Sequence, residues 1–150
     1  ICARFGWLGS GGLAAFSLRL AVTKMTMPFE NAFFMGVLCN ILVTLAVLLS
    51  LSAKDVTGRF LGAWVPVMFF VVAGFSHSIA DMTYCALGLF GRAVPAAAQA
   101  ASQMGVDLTD LTWGRYFLGN MLPVTLGNLL GGLLVGTGAW YCFLRRGRQA

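Results

Sequence analysis

Three stretches of this chain carry no full charge: Asn31 to Ala53, Phe60 to Ile79 and Tyr116 to Leu144. Each reaches the roughly 20 apolar residues that cross a hydrocarbon core as a helix. The polar turn Ser52-Ala53-Lys54-Asp55 closes the first, and a region broken by Pro95, Gly105, Asp107 and Asp110 precedes the last. The pattern predicts a connector over 1–27, a span over 28–51, a second and unusual span over 57–90, a connector over 91–115, a span over 116–144 and a basic tail over 145–150. Pro28 suits the first turn of its span, where a missing N–H costs nothing. In the first connector Gly6, Gly9, Gly11 and Gly12 stand near Trp7 and Phe16, with Arg4 and Arg19 as charges, the composition of an interfacial segment. In the second, Ala96 to Ala101 has the makings of a short surface helix. The expectation is one transmembrane domain, partial, because Ile1 follows no initiator Met and opens neither a charged n-region nor a cleavage site.

The middle run is the informative one. From Phe60 to Phe90 only Asp81 is formally charged, and as one helix it would measure about 45 Å. The hydrocarbon core is roughly 30 Å thick, and no polar turn divides the run into two spans. Pro66 and Gly74 lie inside it, and the polar group Ser76-His77-Ser78 follows Gly74. Two readings stand: a tilted, kinked helix, or a helix broken near Gly74, whose unpaired backbone must line a cavity or be buried in protein.

Composition agrees with lipid as the solvent. Apolar residues make up 59% and charged residues 10%, against about 25% charged in soluble domains. The net charge of +5 does not indicate nucleic acid, because Arg145, Arg146 and Arg148 form a flank just beyond the last apolar run, as a cytoplasmic tail touching anionic lipid does. With that tail inside, the Lys54/Arg59 loop shares its side and the two connectors face outward. Cys2, Cys39, Cys85 and Cys142 make no C-x-x-C pair, so neither metal nor cofactor is expected.

Candidate chemistry centres on His77, the single histidine. Ionisable groups at membrane depth mark ion or proton pathways, or else hydrogen-bond between packed helices. Asp81 follows four residues later, on the same face if the segment is helical, and would favour the imidazolium. Asn40, Asn120 and Asn128 are candidates for interhelical hydrogen bonding, and Lys24 for a snorkelling interfacial cation. The glycines Gly127, Gly131, Gly132 and Gly136 have the small-x-x-x-small spacing of close helix packing.

Three runs in order carry a family resemblance. Phe34 to Val47, containing Gly36-Val37-Leu38-Cys39-Asn40, resembles the G-x-L-C-N-x-L-V-x-L-A-V signature of the formate/nitrite transporter family. Gly74-Phe75-Ser76-His77-Ser78-Ile79-Ala80-Asp81-Met82 resembles its G-F-E-H-S-I-A-N-M, and Leu122 to Gly132 its I-P-V-T-x-G-N-x-x-G-G. Detail around Ala21 to Lys24 and Met82 to Gly91 leans toward the nitrite branch. The resemblance implies an all-α membrane protein with an aquaporin-like helical bundle, of which this chain is the C-terminal inverted-repeat half: three spans, the middle one broken. It further implies a homo-oligomer, a pentamer with one pore per protomer, in the inner (plasma) membrane.

By position, the resemblance makes His77 the central pore histidine, Asn40 the asparagine facing it, Lys24 the lysine linked to anion attraction and Phe70 the aromatic constriction. Ser76 departs from the family Glu, and Asp81 from the family Asn. The expected activity is passage of a small monovalent anion, nitrite or formate, through apolar constrictions with the aid of His77, not enzyme catalysis. A membrane enzyme using His77 and Asp81 as an acid–base pair would lack a second histidine, a nucleophile motif and a metal cluster. The alternatives are a non-transporting membrane scaffold and transport of hydrosulfide, acetate or lactate.

Overall fold

The computed structural model describes residues 11–145, all of whose regular elements are helical. They are α1 (Gly11–Met25), α2 (Phe29–Ser52), α3 (Val56–Val72), α4 (Ser78–Gly91), α5 (Pro95–Gln103) and α6 (Leu122–Ala139). Wider π-helical turns precede α6 at Arg115–Met121 and follow it at Trp140–Arg145. Trp7 and the arginines of the tail beyond Arg145 lie outside the described residues.

Two compact units form, one from residues 11–32 with Ser78–Pro123, the other from Phe33–His77 with residues 124–145. In the first, the stretch expected as a connector contributes helix α1. Its Ala14, Leu18, Ala21 and Met25 recur at spacings of four, three and four, which aligns them on one face. They are buried with Cys85 and Leu89 of α4, Ala97 and Ala101 of α5, Leu111 and Tyr116. The approach of α1 to α4 depends on Gly88, since a Cβ there would overlap that of Ala21. The Ala-rich stretch forms helix α5, exposed at Ala96, Gln99, Ser102 and Gln103 and covered on one face at Ala97 and Ala101, where a methyl side chain lets the helix pack closely without an entropic penalty. Pro95 opens α5 at its first turn, and Arg92 donates to the carbonyl of Leu111.

In the second unit α2 lies against α6 along glycines of both. A Cβ at Gly36 would stand 2.8 Å from the Val124 carbonyl oxygen, and Cβ atoms at Gly127 and Gly131 would overlap the carbonyl oxygens of Phe33 and Val37. The Gly127/Gly131 spacing therefore serves backbone-to-backbone packing, whereas a Cβ at Gly132 would meet the Asn40 side chain and one at Gly136 nothing within 4 Å. Asp55 caps α3, accepting from the Gly58 N–H at 2.8 Å, and Arg59 Nε reaches the Ala53 carbonyl at 3.3 Å. On α3 the large apolar residues Val56, Phe60, Trp64, Val65, Phe69 and Val72 are all exposed, as on a helix whose surroundings are not water.

The middle run is broken. Pro66 does not end α3; it lies within the helix, removing one bond to the carbonyl four residues earlier. The stop comes at Gly74, whose φ of +72° suits glycine. The Phe75 N–H bonds the Phe70 carbonyl at 3.0 Å and the Gly74 N–H bonds that of Val71 at 3.1 Å, the paired closure of a Schellman motif. Helix α5 ends identically at Gly105 (φ +69°), with Val106 to Ala101 and Gly105 to Ser102, each at 3.0 Å. The π-helical turns before α6 also have a local cause. Pro123 offers no N–H to the carbonyl of Gly119 and its ring crowds that turn, and the Leu122 N–H bonds Phe117, five residues back.

Candidate functional site

Sequence-derived site residues gather in two clusters, one in each unit. In the second unit, residues 75–77 are non-helical and α4 begins at Ser78. His77, half-buried, thus stands on the break itself. Its ring lies beside that of Phe70, with centroids 6.0 Å apart and planes 27° from parallel. The aromatic of α3 and the histidine of the break, seven residues apart, are brought together by the reversal at Gly74.

Asn128 on α6 holds this arrangement. It is 7% exposed, and its Nδ2 donates to the Gly36 carbonyl of α2 and to the Ser76 carbonyl of the break, each at 3.1 Å. Asn40 Nδ2 in turn donates to the Asn128 backbone carbonyl. Ser76 immediately precedes His77, so one amide ties the backbone carrying the imidazole to α2. Gly36 makes room for it, since a Cβ there would lie 3.0 Å from Asn128 Nδ2. Sequence reasoning sees in Asn128 only a general helix-bonding residue. The signal available was its coincidence with glycines one residue before it and three and four after it.

In the first unit, Lys24 near the end of α1 and Asp81 in the first turn of α4 form a buried ion pair, Nζ to Oδ1 3.9 Å, with side chains 7% and 1% exposed. Asn120 from the π-helical turns joins them, its Nδ2 donating to Asp81 Oδ2 at 3.1 Å and to the Lys24 carbonyl at 3.2 Å. Asn120 is itself buried, and its Oδ1 accepts no hydrogen bond from the described residues. Gly119 beside it approaches the Met25 carbonyl, 3.0 Å from a built Cβ. The expectation that His77 and Asp81 share a helical face does not hold, because His77 precedes the helix. The cation shown against Asp81 is Lys24, 57 positions away in the sequence. Asp81 also sits where the partial positive charge of a helix N-terminus favours a carboxylate.

Apart from these clusters, Asp107 in the loop before the last helix accepts from both the backbone N–H (2.9 Å) and the hydroxyl (2.7 Å) of Thr109. These bonds, the backbone one foremost, hold its carboxyl below the ordinary range. It is exposed and belongs to the turn, not to the candidate site.

Among the described residues two helices, Phe29–Ser52 and Arg115–Phe143, are long and apolar enough to cross a bilayer, and the apolar run between them is interrupted after Gly74, features expected of a polytopic helical membrane protein of the channel and transporter class. The sequence profile of the formate/nitrite transporter family matches residues 1–142, and the chain belongs to that family. It is 36% identical over 135 residues to a probable formate transporter of Methanothermobacter thermautotrophicus, covering 89% of this chain and 43% of that protein. It is 35% identical over 132 residues to the nitrite transporter NirC of Salmonella typhimurium, covering 87% and 43%. A solved structure of a pentameric formate channel with formate bound superposes with a TM-score of 0.78 at 32% identity, over 95% of this chain and 58% of that one. The chain therefore has the fold of part of such a channel and spans less than half the length of these two relatives. Near-equal identity to a formate and to a nitrite relative leaves the lean toward the nitrite branch undecided.

Proposed function

We propose that this chain is the C-terminal half of a channel protomer that passes formate or nitrite across the inner (plasma) membrane, as a multi-pass protein with its C-terminus in the cytoplasm. Helices α2, α3–α4 and α6 are the three spans, the second discontinuous, and five copies assemble with one pore each. Support for the pentamer comes from the solved relative's described assembly. Support for the anion comes from the formate and nitrite transporters among the relatives.

The observation that carries the reading is His77 on the broken helix, beside Phe70 and with its backbone tethered through Asn128. A bare anion entering low dielectric pays tens of kcal/mol unless neutralised or compensated. Beside an aromatic wall, an imidazole can supply that compensation by donating a hydrogen bond or a proton to a weak-acid anion. Phe70 then acts as the apolar constriction and Asn40 as a polar neighbour held by its bond to Asn128. Lys24 attracts anions only to the extent that Asp81 leaves its charge uncompensated.

Uptake of formate and nitrite into liposomes holding the intact protein tests the reading. Wild type should carry both, and His77→Ala should lose the pH dependence and most of the flux. Uptake by His77→Ala equal to wild type at every pH would remove the histidine from the mechanism.

A further inference from the structure

The polar cluster of the first unit has the composition of a binding site with its own occupant. Lys24 Nζ supplies a cation and Asn120 Nδ2 a directed N–H, and the carboxylate between them is enclosed to 1% exposure. That carboxylate is part of the chain. We propose that Lys24 and Asn120 form a site for a small bent oxyanion in which Asp81 is the tethered resident. A free formate or nitrite ion competes with Asp81 for it.

The match is atomic. Truncating Asp81 to alanine removes one carbon and two oxygens, which together with a hydrogen are formate, and nitrite has the same bent three-atom frame. The hole left behind keeps its cation and its N–H donor. A buried ammonium stripped of its counter-charge is costly, so an ion restoring the charge in the same place stabilises the fold by mass action. In the unaltered protein Asp81 fills the site, so Lys24 is not open to a passing anion until the carboxylate moves aside or takes a proton. The site itself does not depend on transport; that the competing ion is also the permeating one rests on the channel reading above.

The experiment is a set of thermal melts of the intact protein in detergent, at fixed ionic strength, with formate, nitrite or chloride. Asp81→Ala should melt below wild type and recover with added formate or nitrite, by roughly 5 °C at a concentration 100 times the dissociation constant. Chloride, a single sphere with no pair of oxygens to meet both groups, should recover little. Wild type should respond far less than Asp81→Ala, since the ion must first displace the tethered carboxylate, and Asp81→Ala/Lys24→Met, which lacks the cation, should not respond. Equal recovery in chloride, recovery in the double variant, or none in a folded Asp81→Ala would each overturn the proposal.

Should Asp81→Ala fail to fold, Asp81→Asn, Lys24→Met and their combination decide instead. The combination should melt above both single variants, whereas additive losses would refute the pairing. The melts require no flux. A protein that shows formate recovery yet carries no anion would sink the channel reading and leave the site standing; a conducting protein without recovery would do the reverse.

Discussion

Replacing Asn128 with alanine should loosen the break that carries His77. Two hydrogen bonds of 3.1 Å vanish, to the carbonyls of Gly36 and Ser76. Side-chain hydrogen bonds between membrane helices average about 0.6 kcal/mol and reach about 1.7, so the pair is worth about 1–3 kcal/mol. Asn128 is 7% exposed, so its truncation also leaves a small void, placing the expected loss near 2 kcal/mol. For a chain of this size that lowers the melting midpoint by roughly 4–8 °C. Asn128→Asp separates the causes. It keeps the shape but offers no N–H and directs a carboxylate at two carbonyl oxygens, so it should fall at least as far as alanine. Amide hydrogen exchange supplies the local readout, because residues 75–77, once untethered from α2, should exchange faster while the amides of α5 do not change. A midpoint within about 1 °C of wild type, with unaltered exchange at the break, would show that the break is held by other means.

Two further outcomes follow from the packing and the loop. Gly131→Ala should destabilise by about 1–3 kcal/mol, because its methyl meets the backbone oxygen of Val37, which cannot swing away as a side chain would. Gly136→Ala, with nothing within 4 Å, should be neutral or slightly stabilising through better helix propensity in the same melts. Asp107, whose carboxyl lies below the ordinary range, contributes stability that is present above the ordinary carboxyl pKa of about 3.9 and lost as pH falls through its own lower value. The difference in midpoint between wild type and Asp107→Ala should be present at neutral pH and shrink on acidification, and a difference growing toward low pH would contradict the assignment.

The break is legible in the sequence because its cause is local. A glycine followed by a polar cluster, inside an apolar run too long for one upright span, marks the place without knowledge of any partner, while the choice between a kink and a break is made only by the closure at Gly74. Pro66 shows the limit of the same rule: a helix stabilised by its surroundings absorbs one missing bond, so a proline inside it is not a stop. Helix α1 is harder to see, since the glycines before it and at its start dominate the window while two of the four residues in its four-three-four spacing are alanines.

The site divides similarly. His77 stands out as the single histidine of an apolar run, whereas Phe70 enters only through the family resemblance and meets it across the one turn at Gly74. Asp81 sits four residues from His77, and the helical geometry that would join them is undone by the turn that makes the break. Its pairing with Lys24 depends on how distant segments return to one another, which spacing does not record. Asn120 and Asn128 look alike as polar residues in an apolar helix, and only folding reveals that one serves the ion pair and the other the break.

The ion pair also imposes an order on biosynthesis. Lys24 and Asn120 are separated by 96 positions, which at about 5–20 residues per second leaves an interval of roughly 5–20 s between their emergence from the ribosome. In that interval the buried cluster of Lys24, Asp81 and Asn120 cannot be complete, because one of its members has yet to be synthesised.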